Sequence, residues 1–143
     1  MGLLHITGAG NSVALHRCTL EGAKWRGCMG LMIGDAAQAV LVDSSIRHIH
    51  LGGGIVVWGQ GSTAVAAGGS SVSDVAGVGV TVMRGGSCVL EDARVVGCMR
   101  SGAGVHEPGS KLLAKRSKLD GNRGANLIMD AGMEGRVPRI PYT

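Results

Sequence analysis

Apolar residues recur along the chain at a nearly constant spacing of about 25 residues. Five aliphatic anchors, each with a small or polar neighbour, are separated by steps of 26, 26, 23 and 24 residues: Leu20, Ile46, Val72, Val95 and Leu119. A repeat of between about 20 and 50 residues is typical of solenoids and propellers. The anchors therefore predict about five copies of one short structural unit.

Further positions align when the five repeats are superimposed on these anchors. Seven residues before the anchors, the positions are apolar: Val13, Ala39, Val65, Cys88 and Leu112. Five residues before them, they are again apolar: Leu15, Leu41, Ala67, Leu90 and Ala114. Two residues before them, they are small: Cys18, Ser44, Ser70, Ala93 and Ser117. Because alternate residues of a strand share one face, we expect these positions to point inward, with a bend before the last of them.

A second strand is predicted later in each repeat, at residues 31–33, 55–57, 80–82, 105–107 and 127–129. The residue that precedes it is always glycine or asparagine: Gly30, Gly54, Gly79, Gly104 and Asn126. These two residue types adopt the left-handed backbone conformation most readily. We therefore predict a turn with positive φ at this point of every repeat.

The composition supports an all-β fold. The 143 residues include 26 Gly but no Phe, and an interior helical glycine costs ~0.5–1 kcal/mol relative to alanine. An apolar content of 45% with 17% charged residues excludes a disordered chain. We predict a right-handed parallel β-helix solenoid of about five coils over residues 1–135. An extended tail at 136–143 follows, because Pro138 and Pro141 favour an extended path.

Residues 86–105, GSCVLEDARVVGCMRSGAGV, resemble the repeats of pectin-lyase-like parallel β-helix proteins, and the resemblance covers residues 8 to about 131. That superfamily includes polysaccharide lyases and hydrolases, phage tailspikes, substrate-binding parts of F-box proteins, and structural proteins of cilia and spindles. The resemblance implies the fold. It leaves the activity open, because one fold supports many functions.

One outward position, three residues before the anchors, carries charge in most repeats: Arg17, Asp43, Gly69, Asp92 and Arg116. Adjacent coils would place Arg17 beside Asp43 and Asp92 beside Arg116, which we interpret as ion pairs worth ~0–1 kcal/mol each. Asp43 and Asp92 would lie two coils apart, ~9–10 Å, too far to share a calcium ion. A polysaccharide lyase or hydrolase remains the alternative, with these candidate residues: Asp92, Arg94, Arg100 and His106.

No cofactor or metal ion is expected from the cysteine and histidine spacing. The four cysteines form two pairs with nine residues between partners, and we interpret them as reduced, buried thiols, with disulfides and metal binding as alternatives: Cys18, Cys28, Cys88 and Cys98. His48 and His50 have a spacing that zinc sites use, but no third ligand is assigned. We interpret both as solvated loop histidines.

Positive charge is concentrated in the second half of the chain. Residues 1–83 carry four basic and four acidic groups, whereas residues 84–143 carry ten basic and six acidic groups. Basic side chains favour acidic partners, and tryptophan is common at interface hot spots. We therefore predict these partner-binding residues: Lys111, Lys115, Arg116, Lys118, Trp25 and Trp58. A solvated polar face and a covered solenoid rim are the alternatives, and the lack of interleaved aromatic residues disfavours nucleic acid.

These observations together predict a non-catalytic structural scaffold or protein–protein interaction module within a larger assembly. Solenoid ends expose apolar side chains unless they are capped, and no amphipathic cap precedes Leu3 and Leu4. We therefore expect either a segment of a larger polypeptide or a subunit whose ends stack on other protein subunits. No small-molecule substrate and no membrane partner are predicted. The alternatives are the carbohydrate-active enzyme and substrate recognition in a ubiquitin-ligase-like protein. We expect a cytoplasmic location, with the cytoskeleton or cilium suggested by the resemblance.

Overall fold

The computed structural model describes residues 2–22 and 29–130, which form a parallel β-solenoid of about five coils. Sheet A contains β1 (Gly2–Thr7), β4 (Met29–Gly34), β7 (Ile55–Trp58), β10 (Val80–Met83), β13 (Ala103–His106) and β16 (Leu127–Met129). Sheet B contains β2 (Ser12–His16), β5 (Gln38–Val42), β8 (Thr63–Ala67), β11 (Ser87–Glu91) and β14 (Lys111–Lys115). Sheet C contains β3 (Thr19–Glu21), β6 (Ser45–Ile49), β9 (Ser71–Val75), β12 (Arg94–Val96) and β15 (Lys118–Asp120). No helix in these two ranges has the length and apolar character needed to cross a membrane.

The hydrophobic core lies between the three sheets, and the predicted all-β solenoid is confirmed. From the second coil onward, inward side chains such as Leu31, Ile46 and Leu90 are at most 1% exposed. In the first coil, Leu15 and Leu20 occupy equivalent inward positions but are only half-buried. Each coil therefore depends on its neighbours to complete its share of the core.

The predicted inward positions are wrong by one residue in the third coil. There Ala64 and Ala66 face the core, 1% and 3% exposed, whereas Val65 and Ala67 are half-buried on the outer face. The corner between β8 and β9 contains three residues, 68–70, while the equivalent corners of the other coils contain two. Because side chains alternate along a strand, this extra residue exchanges the two faces of β8 relative to the anchor.

The predicted second strand of the fourth sequence repeat is shifted by two residues. β13 pairs Ala103 with Val80, so the residue before the strand that corresponds to Gly79 is Gly102 rather than Gly104. The shift is even, so the strand keeps the same inward face.

The predicted positive φ before the second strand is also wrong. Gly30, Gly54 and Gly79 do not have positive φ. A Cβ at Gly30 would instead overlap Cγ2 of Ile46 and lie 2.5 Å from the carbonyl oxygen of Gly54. Glycine is required at this position because a side chain from sheet C approaches the backbone closely.

Left-handed backbone is found instead at the corners between sheets B and C. The outward charged position of each repeat has φ between 46° and 89°: Arg17, Asp43, Gly69, Asp92 and Arg116. Non-glycine residues rarely adopt this conformation, which here turns the chain sharply from one sheet to the next. The bend expected from the sequence is therefore confirmed, and the charged column stands at its apex.

Buried serines that follow these apex residues connect adjacent coils. The Oγ of Ser44 accepts a hydrogen bond from the N–H of Cys18 at 3.1 Å and donates to the carbonyl of Val42 at 3.0 Å. Ser117 Oγ accepts from the N–H of Ala93 at 3.1 Å in the same way. These bonds satisfy buried backbone donors and hold each corner above the next.

Candidate functional site

Five basic residues lie near one another on the last two coils. We define the basic surface as these exposed side chains: Arg94, Lys111, Lys115, Arg116 and Lys118. Lys111 and Lys115 are the first and last residues of β14, and Lys118 begins β15 after the corner at Arg116. Four of these side chains are the basic residues predicted from the sequence, and Arg94 is the fifth because it faces Lys118 from β12.

Arg116 is held by two carboxylates of the fourth coil. Its Nε donates to Asp92 Oδ1 at 2.9 Å, and its Nη2 donates to Asp92 Oδ2 at 3.1 Å and to Glu91 Oε1 at 2.7 Å. The predicted Asp92–Arg116 ion pair is confirmed. The hydrogen bond from Arg116 lowers the pKa of Asp92 below its ordinary value, and the two carboxylates raise the pKa of Arg116.

The predicted ion pair between Arg17 and Asp43 is not formed, although both residues belong to the described part of the chain. They occupy the same corner of the first and second coils. Oδ1 of Asp43 lies 3.9 Å from where a Cβ of Gly69 would stand, so the carboxylate is turned toward the third coil. Arg17 therefore lacks the partner that Arg116 has in Asp92.

The charges of the basic surface are balanced only in part. Lys115 faces Glu91 on the neighbouring strand, so Lys115 and Arg116 together match the two carboxylates of Glu91 and Asp92 in formal charge. Within residues 2–22 and 29–130, no ion pair is made by Arg94, Lys111 or Lys118. The excess positive charge of the surface therefore lies on these three side chains. On the neighbouring strand β9, Ser71 pairs with Arg94 and places a hydroxyl group beside it on the outer face of sheet C.

Trp58 lies on a different face of the solenoid, at the end of β7 on the outside of sheet A. Its indole lies across Gly34, where a Cβ would be 2.6 Å from Cη2, and its ring centroid is 5.3 Å from that of His5. A groove of about 470 Å³ runs beside it, and its lining includes Leu51, Val56, Thr81, Met83 and Arg100. Trp58 is thus separate from the basic surface. Trp25 lies outside the described residues.

The four residues considered for a carbohydrate-active enzyme are distributed over the fourth and fifth coils. Asp92 lies at the corner between sheets B and C, and Arg94 begins the strand after it. Arg100 lies in the connection from β12 to β13, and His106 ends β13. The structure does not bring the four side chains together.

His106 instead contacts Asp130, a residue that the sequence analysis did not single out. Nδ1 of His106 is 3.0 Å from Asp130 Oδ1, and the N–H of Glu107 donates to Asp130 Oδ2 at 3.0 Å. The hydrogen bond with His106 lowers the pKa of Asp130, and the bond from the Glu107 N–H lowers it further by a smaller amount. Glu107 itself contacts Arg84 at 3.6 Å rather than His106. His106 and Asp130 are 24 positions apart, which is the length of one coil. A correct alignment of the fourth and fifth repeats would therefore have revealed their contact.

Two of the three described cysteines match the prediction of reduced, buried thiols. Burial raises the pKa of Cys88 to about 12 and that of Cys98 to about 11. Cys18 is also a free thiol but is exposed, which corrects the prediction for that residue. Among the described residues, Cys18 has a stacked neighbour on one side, because it lies in the first coil. Cys28 lies outside the described residues.

The two histidines with zinc-like spacing point to different neighbours. Nε2 of His48 lies 3.6 Å from Oε1 of Glu21. His50 lines a separate cavity of about 200 Å³ together with Asp74 and Met99. In the part of the chain that the structure describes, no three His, Cys, Asp or Glu side chains come close enough to hold a metal ion.

The fold and its surfaces are defined by strand register, burial and hydrogen bonding within this chain. These features establish a parallel β-solenoid of about five coils. The chain matches no protein-family model, no curated protein and no solved structure.

Proposed function

We propose that this protein is a non-catalytic scaffold or interaction module that binds an acidic surface of another protein subunit through its basic surface. The observation that carries the proposal is the excess charge on Arg94, Lys111 and Lys118. The carboxylates of Glu91 and Asp92 are matched by Lys115 and Arg116, so they do not neutralise these three side chains. A patch of one sign attracts a partner of the opposite sign and fixes its orientation.

The backbone beneath the basic surface supports this proposal because it is rigidly paired. β14 pairs with β11, and β15 pairs with β12, over their full lengths. Ser117 bonds the intervening corner to the fourth coil. Binding then orders side chains but not backbone, which reduces the entropic cost of association.

The proposal includes two finer assignments. We assign the solenoid to the right-handed, pectin-lyase-like β-helices, supported by the parallel three-sheet coils and by the resemblance of residues 86–105. We place the protein in the cytoplasm, within a cytoskeletal or ciliary assembly, supported by the structural proteins among the families it resembles. Its partners in this proposal are other protein subunits with acidic surfaces.

The test compares two variants that lose the same charge. The first carries Lys111→Gln and Lys118→Gln on the basic surface, and the control carries Arg17→Gln and Arg47→Gln on the first two coils. Each is followed by size fractionation and cross-linking mass spectrometry in native extract. We expect the wild type and the control to migrate with a large assembly, with cross-links from Lys111, Lys115 and Lys118 to acidic segments of a neighbour.

Loss of co-migration with the assembly and of the Lys115 cross-link in the first variant alone would support the proposal. Migration of the wild type as a small free protein, or equal behaviour of the two variants, would overturn it. Circular dichroism of both purified variants establishes that each keeps its β structure.

One observation favours a second candidate, the carbohydrate-active lyase or hydrolase. The carboxylate of Asp130 orients His106, whose Nε2 lies 2.8 Å from where a Cβ of Gly104 would stand. Gly104 and His106 pair with Thr81 and Met83, and both of these partners line the groove on sheet A. A histidine oriented by a carboxylate can act as a general base.

The test of this candidate is depolymerisation of acidic and neutral polysaccharides. Turnover by the wild type that falls at least ~100-fold in His106→Gln would support an enzyme. The absence of turnover by the wild type, or unchanged turnover in the variant, would exclude it.

A further inference from the structure

We propose that Arg94 and Lys118, together with the hydroxyl of Ser71, form a binding subsite for a phosphoryl dianion carried by the partner as a phosphorylated side chain. This inference rests on the proposed function, because it names the group that the acidic partner presents.

The three side chains form consecutive members of one outer row on sheet C. Arg94 pairs with Ser71 on one side and with Lys118 on the other, so neighbours are ~4.8 Å apart along the row. The same row continues to Ser45 and Thr19, whose hydroxyl oxygens are 3.2 Å apart. The row therefore presents hydroxyl groups up to the third coil and two cations beyond it.

Two like charges that face each other on adjacent strands destabilise a sheet. Arg94 and Lys118 are in this arrangement, and neither makes an ion pair with another described residue. Asp120 follows Lys118 by two residues on the same face, yet the two make no ion pair. An external anion at this position would remove a repulsion that the chain itself leaves in place.

The charge of the pair selects the kind of anion. A phosphorylated side chain carries about −1.5 to −2 charges near neutral pH and can neutralise both cations, whereas one carboxylate neutralises only one. Arginine binds phosphoryl oxygens bidentately and lysine adds a point charge. The Ser71 hydroxyl supplies a further donor on the same side of the sheet. The three groups thus match a phosphoryl dianion in charge and in hydrogen-bond donors.

The test measures binding by NMR chemical shifts and calorimetry. The probes are inorganic phosphate, O-phosphoserine and a phosphoserine peptide whose other side chains are uncharged, and the control is the unphosphorylated peptide. The test variant carries both Arg94→Gln and Lys118→Gln. The control carries both Lys111→Gln and Lys115→Gln and loses the same charge. We expect the phosphopeptide to bind the first variant at least ~10-fold more weakly than the wild type, and the control less than ~3-fold more weakly. The backbone signals of Ser71, Arg94 and Lys118 are expected to shift in the wild type.

A third variant sharpens the result. Asp120→Asn removes a carboxylate two residues from Lys118 on the same face, so it should strengthen phosphopeptide binding while leaving the unphosphorylated peptide unbound. The first variant should also melt at or above the wild-type temperature without ligand, because the repulsion between the two cations is removed. Weaker phosphopeptide binding together with unchanged folding would support the subsite.

Several outcomes would overturn it. These are no phosphate-dependent shifts in the wild type, equal losses in the two double variants, or a tighter response to a single-stranded RNA oligonucleotide than to the phosphopeptide. If none of the phosphate probes binds, but the double variant Lys111→Gln and Lys118→Gln still detaches the protein from its assembly, only the phosphoryl subsite is wrong. If the phosphopeptide binds but no assembly is found, only the proposed function is wrong.

Discussion

Ser70 shows how a single side chain joins two coils. Its Oγ accepts from the N–H of Ser44 at 3.1 Å and donates to the carbonyl of Ala67 at 2.7 Å, and the residue is 1% exposed. The fourth coil has Ala93 at this position, and the N–H of Ser70 bonds to Ala67 within its own corner instead. The longer corner of the third coil therefore compensates for the hydroxyl that Ala93 lacks.

Replacement of Ser70 by alanine leaves the buried N–H of Ser44 without an acceptor. We expect Ser70→Ala to lower the free energy of unfolding by about 1–3 kcal/mol, measured by urea denaturation. The control is Ser73→Ala on the outer face of β9, where we expect a change within ~0.5 kcal/mol. Equal losses in the two variants would contradict the role of the corner hydroxyl.

The cysteines differ in their accessibility to reagents. Because burial raises the pKa of Cys88 to about 12, its reactive thiolate is scarce near neutral pH, and Cys98 is also buried. We expect iodoacetamide to modify Cys18 in the folded protein, and Cys88 and Cys98 only in urea, measured by peptide mass spectrometry. Fast modification of Cys88 in the folded protein would show that the interior opens readily.

At the scale of strands, the sequence predicts the sheets well and their register less well. Residues 64–67 read Ala-Val-Ala-Ala, so apolar residues occupy both faces and no alternation marks the inner one. The corner apices carry Arg or Asp in most coils; arginine gives no signal of a left-handed backbone, and aspartate gives a weaker one than glycine. The four predicted basic residues lie on the consecutive strands β14 and β15 because they are neighbours in sequence, and their role in partner binding stays a prediction. The His106–Asp130 contact was missed because it depends on the register of β13.

The extra residue in the third corner is expected to be dispensable. Deletion of Gly68 gives this corner the two-residue length found in the other coils and leaves the strands before and after it aligned. We expect the β signal in circular dichroism to persist and the melting temperature to fall by several degrees, because the shortened corner takes the Ala67 carbonyl away from the N–H of Ser70. Deletion of Asp92 from a two-residue corner is the control, because it would turn Cys88 and Leu90 outward and prevent folding. Loss of structure in both deletions would contradict this account of the corner.

At the scale of the whole molecule, burial increases from the first coil to the second. Leu15 and Leu41 occupy the same inward position of sheet B, but Leu15 is half-buried and Leu41 is 1% exposed. We expect Leu41→Ala to reduce the free energy of unfolding by about 2–5 kcal/mol and Leu15→Ala by clearly less, measured by urea denaturation. Similar losses would mean that the first coil is covered as completely as the second.

Stability also depends on pH through two carboxyl groups. The hydrogen bond from Arg116 lowers the pKa of Asp92, and that from His106 lowers the pKa of Asp130, both below the ordinary 3.8. Both groups bind protons less readily in the folded state, so their contribution is complete above pH 3.8 and is lost as the pH falls through the lowered pKa values.

The measurement is the melting temperature as a function of pH. We expect Asp92→Asn to lower it near neutral pH and to reduce its decline in acid. The control, Asp35→Asn, replaces an exposed aspartate at another corner of the coil and should leave the pH profile unchanged. An identical acid decline in the wild type and in Asp92→Asn would contradict the assignment.

The register of sheets B and C gives every residue of the fifth coil a counterpart in the first. In a head-to-tail filament, Arg116 of one molecule would meet Arg17 of the next, and Asp120 would meet Glu21. Open-ended growth of this kind is how heterologous contacts produce fibres, and like charges across the junction oppose it. Like charges of this kind disfavour end-to-end pairing of the described coils, so we expect concentrated solutions of the protein to become more viscous only when salt screens these contacts.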